Sequence, residues 1–465
     1  MAAASNVFPP LRKLALIGLG PHAQKFYFPE LEAKRGPLGL ELQLVVDLES
    51  ARTGVEKYLS SRFLAPRATL FLPDAARHSR QLPVSARREL DRLVAEHELD
   101  ALIVASEPSS HFAYLSWAAA NGIGVLVDKP VTANAMSTAR SAKQLWTDYQ
   151  RLTAAFRASG ARAAVMLNRR GHPAFQFAKS LLRDVMDRSQ IGITYLDCYH
   201  ANGIWYLPEE ILARENHPYK YGYGALLHGG FHPVDTAMWF LELNKTVASA
   251  AKPDRICITS QHTSPLDFFA QVGSTAYQRL FNEDMLARID QATSGGATLG
   301  ECDISILFQL LSQERVLTSG AVTVLQTAYS TRASNDLLRP SYRVAHDRVN
   351  IQVGHLLNCQ LRNCKAPGSD DPDTTATVVN IYRNSALIGG QPYHRETFPS
   401  VFGQSAFTVA KRNFLERWLA GSRAVTTLED LAPSIQFEAL VQESILRGRA
   451  GKSAALSRPF DIGPP

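Results

Sequence analysis

The sequence predicts an α/β N-terminal domain built on a doubly wound parallel sheet, followed by a C-terminal α+β domain with a large open, mainly antiparallel sheet. Three observations carry this expectation. Short apolar runs alternate with helical patterns up to residue 168. The first of those runs ends in a glycine turn. Beyond residue 168 the segments lengthen and apolar residues recur with period two. Alternating strands and helices need crossover connections, hence a parallel sheet; period-two alternation marks half-exposed antiparallel strands. The expected boundaries are 11–168 and 169–455. Residues 250–300, which mix helical stretches with glycine-rich turns, read as an insertion in the second domain.

The elements follow in order. Residues 14–20 (LALIGLG), 41–47 (ELQLVVD), 68–72, 101–105 (ALIVA) and 123–127 (IGVLV) read as buried parallel strands. Between them, Leu90, Leu93, Val94 and His97 share one helical face, and residues 111–120 form an alanine-rich helix. Leu145, Tyr149, Leu152 and Phe156 recur at spacings of four, three and four, with Gly160 as a natural stop. Residues 163–167 give the last strand of the first domain. In the second, residues 193–202, 321–328, 349–361 and 376–382 read as strands. Val349, Ile351 and Val353 there alternate with Asn350 and Gln352. Residues 407–419 and 435–446 read as helices, with Thr426-Thr427-Leu428-Glu429 at capping-box spacing before the second. The acidic run 368–373 (GSDDPD) lacks the spacing of a calcium loop and reads as a turn.

Composition narrows the function classes. Charged residues are 20% of the chain and apolar ones 45%, the balance of a soluble globular protein. No apolar run approaches a membrane span, and residues 1–10 lack the charged and apolar regions of a secretory signal. The 49 basic and 43 acidic residues leave a net charge of +6. They are scattered rather than gathered with aromatics, which excludes a nucleic-acid surface. Five cysteines without a C-x-x-C argue against a disulfide scaffold or a zinc site and for a reducing cytoplasm.

Gly18-Leu19-Gly20-Pro21-His22-Ala23 has the form G-x-G-x-x-A. The first glycine allows the tight turn, the second lets the backbone approach a pyrophosphate, and a small third residue lets helix and strand pack closely. The phosphates then meet free N–H groups at a helix N-terminus. Asp47, closing the second strand, is placed to accept from a ribose 2′-hydroxyl and to repel a 2′-phosphate. This predicts a Rossmann domain favouring NAD(H), with NADP(H) as the alternative because Arg52 lies close in sequence. Lys129, between Asp128 and Pro130, follows the fifth strand, at the end of the sheet where ligands gather. In residues 224–235, His228, His232 and Asp235 would share a face if helical, with Gly229, Gly230 and Pro233 placing the helix start inside the stretch. Metal site, general base and packed core histidines all remain open there.

Taken jointly, these residues resemble the Gfo/Idh/MocA oxidoreductases, the glucose–fructose oxidoreductase and inositol dehydrogenase relatives. The glycine turn matches. Residues 105–111, with Ser106, Glu107 and His111, resemble the family's A-T-P-N-x-x-H, and Asp128-Lys129-Pro130 its E-K-P. Gly224, Leu226, His228, Gly230, His232 and Asp235 resemble its G-x-L-x-D-x-G-x-H-x-x-D. The resemblance implies cofactor contacts from Gly18, Gly20, Pro21, His22, Ala23, Asp47, Ser106, Glu107, His111, Asp128 and Lys129. It implies a sugar or cyclitol substrate, Lys129 on the reacting hydroxyl, His232 as acid/base, and oligomer contacts through the C-terminal sheet. His228 stands where the family has aspartate and changes the charge beside His232. Glu107 replaces a proline.

The chemistry agrees. Oxidising a carbinol needs hydride transfer to a nicotinamide and proton removal from the oxygen. A lysine lowers the hydroxyl's pKa and a neutral imidazole takes the proton. Trp205, Tyr206, Tyr219, Tyr221 and Tyr223 could stack on a sugar or simply pack, and Arg169 and Arg170 could meet a substrate anion or be exposed. No metal is expected. The expectation is thus an NAD(P)-dependent dehydrogenase or ketoreductase of a sugar, aminosugar or cyclitol, a homo-oligomer in the cytoplasm. A non-catalytic dinucleotide sensor and an NAD-assisted glycoside-cleaving enzyme are the rivals.

Overall fold

A computed structural model describes residues 8–136, 138–202, 218–247, 251–281, 299–328, 345–365, 376–400, 405–423 and 425–462. The chain divides into two compact units. The first comprises Met1–Ala133, Leu145–Asn168 and Lys411–Asp430; the second comprises Asn134–Gln144, Arg169–Ala410 and Leu431–Pro465. The division is therefore not the contiguous one at 168. A short stretch after Ala133 belongs to the second unit and part of a late helix to the first.

The first unit holds strands β1 (Lys13–Ile17), β2 (Glu41–Leu48), β3 (Ala68–Leu72), β4 (Ala101–Val104), β5 (Gly124–Asp128) and β6 (Ala163–Met166). They form a sheet in the order β3-β2-β1-β4-β5-β6, parallel throughout. Strand order reverses between β1 and β4, which opens a ligand crevice at their carboxyl ends. Leu14, Leu16, Val45 and Ile103 pack with Ala23, Phe26, Tyr27 and Phe28 from the first helix. Phe414, Leu415, Trp418 and Leu419 of the helix Ala406–Leu419 complete this core, which is why a distant segment joins this unit.

The second unit holds β7 (Tyr195–Asn202), β8 (Arg255–Thr263), β9 (Asp303–Ser312), β10 (Arg315–Leu325), β11 (Ala345–Val353), β12 (Leu357–Lys365), β13 (Thr377–Arg383), β14 (Tyr393–Phe398) and β15 (Leu456–Pro459). The sheet order is β14-β13-β12-β11-β7-β10-β9-β8-β15. Among the described residues of this sheet, only β7 and β10 pair in parallel. β8 lies in the stretch expected to be an insertion, yet it is an integral strand between β9 and β15. Burial alternates along β9: Ile304, Ile306, Phe308 and Leu310 point inward, while Leu307 is 66% exposed on the other face. The helices Pro173–Ser189, Phe231–Leu241 and Ala432–Arg449 cover the inner face. The expected capping box at 426–429 is not formed. Asp430 instead accepts from the backbone N–H and hydroxyl of Thr427, and the helix begins at Ala432 with no side-chain cap.

Candidate functional site: a dinucleotide cradle and a histidine-bearing turn

In the first unit, Gly18 has φ of +85°, and a Cβ there would lie 2.6 Å from the Cα of Ser106. Only glycine fits, on both backbone and packing grounds. At Gly20 an added Cβ would meet nothing within 4 Å, so the turn opens on free space. Ala23 is buried in the core, as the small third position requires. The helix contains a π-helical turn, Ala23–Tyr27, directly before Pro29. Proline supplies no N–H and its ring crowds the carbonyl four residues back, so the widened turn accommodates it.

Asp47 Oδ2 accepts the Leu19 N–H at 2.8 Å and Oδ1 accepts its neighbour Leu48 N–H at 2.7 Å. A carboxylate offers about four acceptor positions, so these two bonds fix its orientation and leave capacity for ribose hydroxyls. Arg52 forms a fork with Glu49, 2.7 and 2.8 Å, and lies 4.2 Å above the Phe71 ring.

Ser106 Oγ contacts Ser110 Oγ at 2.8 Å, and Glu107 stands at the N-terminus of the helix Pro108–Ala120. His111 is fully buried. Its Nδ1 is 3.0 Å from the Pro130 carbonyl and its Nε2 3.1 Å from that of Ser106. Burial pushes its pKa down, against the two carbonyls, which favour the charged ring. His111, expected as a cofactor contact, lies with its ring nitrogens against backbone carbonyls of two loops.

Asp128 ends β5. It accepts the Lys129 N–H at 2.8 Å and pairs with His22 Nε2 at 3.1 Å. Burial alone would raise its pKa, but His22, Lys411 and Lys129 outweigh it and hold the carboxyl below the usual range. His22 stacks on Phe26 at 5.9 Å and meets Tyr27 edge-on at 5.5 Å. Burial, then the Asp128 charge, pushes the Tyr27 hydroxyl well above its ordinary pKa. Tyr27 and Lys411 were not singled out from sequence. Tyr27 carries no motif signal, and Lys411 lies 282 residues beyond Lys129 along the chain, counted as 411 − 129.

In the second unit, residues 225–230 form turns and the helix starts at Phe231 with Gly230 at its N-cap. The His228 N–H donates to Gly224 and the Gly230 N–H to Ala225. His228 therefore precedes the helix on which His232 is the second residue, so the regular one-face arrangement is not formed. A Cβ on Gly224 would lie 2.1 Å from the Glu301 carbonyl oxygen, so backbone packing dictates that glycine. Asp235 is held by Arg170 through two bonds, 3.0 and 2.7 Å, and accepts from Ser434 at 3.0 Å. Asp235 is thus engaged in a buried ion pair. Arg169, expected on a substrate anion or exposed, is buried and pairs with Asp347 at 2.5 Å. His200 Nδ1 lies 2.6 Å from the same Asp347 oxygen. Burial would raise the Asp347 carboxyl, but Arg169 and His200 outweigh it and hold it low. Tyr219 and Tyr223 are buried, and the Tyr219 ring centroid lies 6.4 Å from that of His228. Trp205 and Tyr206 lie outside the described residues.

Sequence reasoning missed Gln326. Its side chain is fully buried, and its amide has no hydrogen-bond partner among the described residues. A Cβ on Gly229 would come within 2.4 Å of Gln326 Nε2 and 3.5 Å of His200 Nε2. The glycine beside His228 thus leaves room for a polar pair brought in by β7 and the end of β10. Only strand pairing, which no local pattern reveals, brings them together.

Comparison with known proteins agrees with this geometry. Residues 13–159 match the family model described as "Oxidoreductase family, NAD-binding Rossmann fold" (GFO_IDH_MocA). No curated protein matches the chain. Among solved structures, the chain is similar to the aldose-aldose oxidoreductase from Caulobacter crescentus, complexed with glycerol: TM-score 0.56, 15% identity, 97% of this chain and 100% of that one. It is similar to an oxidoreductase from Agrobacterium radiobacter in complex with NAD+, L-tartaric acid and magnesium: TM-score 0.56, 13% identity, 97% and 98%. A third is KijD10, a 3-ketoreductase from Actinomadura kijaniata in complex with NADP and TDP-benzene: TM-score 0.54, 17% identity, 98% and 100%. At these identities the likeness speaks for the fold across both units, while the family match covers the first. Residues 13–159 thus carry the NAD-binding Rossmann domain of the Gfo/Idh/MocA oxidoreductases.

Proposed function

We propose that the chain transfers a hydride between NAD(H) and a hydroxyl or ketone of a sugar, aminosugar or cyclitol. The observation that carries the reading is the Asp47–Leu19 bond, which fixes a ribose-selecting carboxylate beside an open glycine turn. The nicotinamide, when bound, supplies hydride acceptance or donation. Gly18, Gly20 and Asp47 would hold it, with Ser106 and Asp128 at neighbouring strand ends. Lys129 would hydrogen-bond the reacting oxygen and lower its pKa. His232, near a helix N-terminus that disfavours its cationic form, would take the proton. The buried Gln326 amide suits a hydroxyl-rich substrate, because it has no hydrogen-bond partner among the described residues. Structures similar in fold were solved with glycerol and with TDP-benzene, which supports that substrate class. No helix among the described residues is long and apolar enough to cross a membrane. The buried thiols of Cys198, Cys302 and Cys359 suit a reducing, cytoplasmic setting. The open sheet face, with Leu307, Tyr382 and Tyr393 exposed, would seat a second copy of the chain.

The test is turnover with NAD+ and NADP+ across a panel of polyols, aldoses and cyclitols. Lys129→Ala and His232→Ala should each lower kcat by about 10²–10⁴-fold. Cofactor reduction by no member of the panel, or wild-type turnover in His232→Ala, contradicts the assignment.

A further inference from the structure

The parallel sheet has two ends. The cofactor residues gather at its carboxyl end; a cavity of about 360 Å³ lies at its amino end, and none of the roles above uses it. Phe8, Phe156, Ala161, Arg162, Arg423 and Leu428 are among its lining residues. Arg162 sits where the chain enters β6, its carbonyl accepting the Val125 N–H at 2.7 Å. Its guanidinium lies 4.4 Å from the Phe8 ring centroid, and that of Arg423 lies 4.6 Å from the same ring. Nη2 of Arg162 donates to the Ser422 carbonyl at 2.5 Å. Nη1 is buried and has no acceptor among the described residues. Arg157, at the rim, shows the contrast: Glu429 Oε1 accepts from its Nε and Nη2 at 3.1 and 2.9 Å. Burial, then the Arg423 charge, pushes the Arg162 pKa down, the direction expected where like charges meet without an anion between them.

A buried guanidinium N–H without an acceptor carries its full desolvation cost. Two arginines on one aromatic ring, neither paired with a carboxylate among the described residues although Glu429 also lines the cavity, add repulsion to it. We propose that this cavity binds a small organic anion. Its carboxylate or phosphate head would bond Arg162 Nη1 beside Arg423, and its apolar body would lie against Phe8, Phe156 and Leu428. The volume is at the lower end for ligand pockets, which limits the occupant to a small molecule. Because the glycine turn is at the other end of the sheet, anion and dinucleotide bind without competing.

Calorimetric titration at low salt with benzoate, phenyl phosphate, inorganic phosphate and the neutral analogue benzyl alcohol tests this. Saturable binding of one benzoate or phenyl phosphate per chain is expected, with or without saturating NADH, and none of benzyl alcohol. Arg162→Gln should weaken it by about tenfold or more. Ala161→Phe, which fills the cavity and leaves the guanidinium in place, should abolish it. An unchanged thermal midpoint shows that each variant is folded. Failure of both aryl anions on the wild type overturns the proposal, as does equal binding of benzyl alcohol, which needs no variant to read. Binding of inorganic phosphate alone would overturn the organic body of the ligand, and competition with NADH would overturn the separate location.

Discussion

The carboxylate of Asp47 accepts the backbone N–H of Leu19 at 2.8 Å, across 28 residues of chain. The acid that closes β2 and the turn that follows β1 are therefore one structural unit. The carboxylate is held by a second bond, from the Leu48 N–H. Arg52, the cation that could have neutralised it, is held by Glu49. The two bonds fix the orientation of this carboxylate.

Asp47→Ala should weaken NADH binding by about 10–100-fold, the worth of one to two hydrogen bonds to a charged group. It should weaken NADPH binding far less, so the ratio of the two affinities moves toward NADPH. Intrinsic fluorescence titration with each cofactor reads this. Tighter NADPH than NADH binding by the wild type would refute the NAD preference.

Gly18→Ala should destabilise the first unit. The φ of +85° costs an L-residue about 1–2 kcal/mol, and the new methyl would meet the Ser106 backbone, which has no flexible end to move. Gly20→Ala, with nothing within 4 Å, should leave stability almost unchanged and weaken dinucleotide binding. Thermal melts of the two variants, with and without NADH, separate the roles; equal loss of stability in both would contradict them.

Much of the first unit is legible because its signals are local. Each parallel strand is a short apolar run, and Gly18, Gly20, Ala23 and Asp47 sit at fixed offsets from those runs. The second unit is less legible because its site residues meet through strand pairing. Arg169 finds Asp347 across 178 residues and His200 finds it across 147. Neither distance leaves a trace in any window. β8 was hidden among turn residues, since a strand flanked by helices and glycines has no period of its own until its neighbours are known. The helix starts inside the 224–235 stretch, as its glycines and Pro233 suggest: Gly224 and Gly230 are required for close backbone approach, so the chain turns at His228 before it becomes a helix.

Asp235 tests the packing reading of the histidine segment. Removing its carboxylate leaves Arg170 buried without its forked partner, and a broken buried pair costs about 3–5 kcal/mol. Asp235→Ala should therefore lower the urea midpoint substantially. Asp235→Asn, which keeps one acceptor for Arg170 and for Ser434, should lower it less. A metal-ligand role predicts the reverse emphasis: little loss of stability in metal-free protein, and chelation imitating the variant.

His172 provides a pH-dependent test. It stands at the N-cap of the helix Pro173–Ser189, and its Nδ1 accepts the Ala174 N–H at 3.2 Å. That bond requires the neutral ring with its proton on Nε2, which points to Thr377 Oγ1 at 3.4 Å. Burial, then the Arg169 charge, brings its pKa down to about 4. Between that value and the ~6.5 of an unfolded histidine, the unfolded chain holds a proton that the folded chain does not. Stability therefore falls as pH drops through this window, by up to about 3 kcal/mol for this residue, and levels off below it. His262, also brought down to about 4 by burial and then by Arg449, contributes in the same window. The low-lying carboxylates Asp128 and Asp347 lose their stabilisation only in stronger acid, below ~3.9. His172→Asn keeps a capping acceptor and removes the titration, so the step between pH 6.5 and 4 should shrink while stability at pH 7 changes little. His172→Ala removes both and should cost about 1 kcal/mol at pH 7 as well. Urea unfolding of the three proteins from pH 7 to pH 4 measures the difference, and parallel profiles for wild type and His172→Asn would rule out the neutral cap.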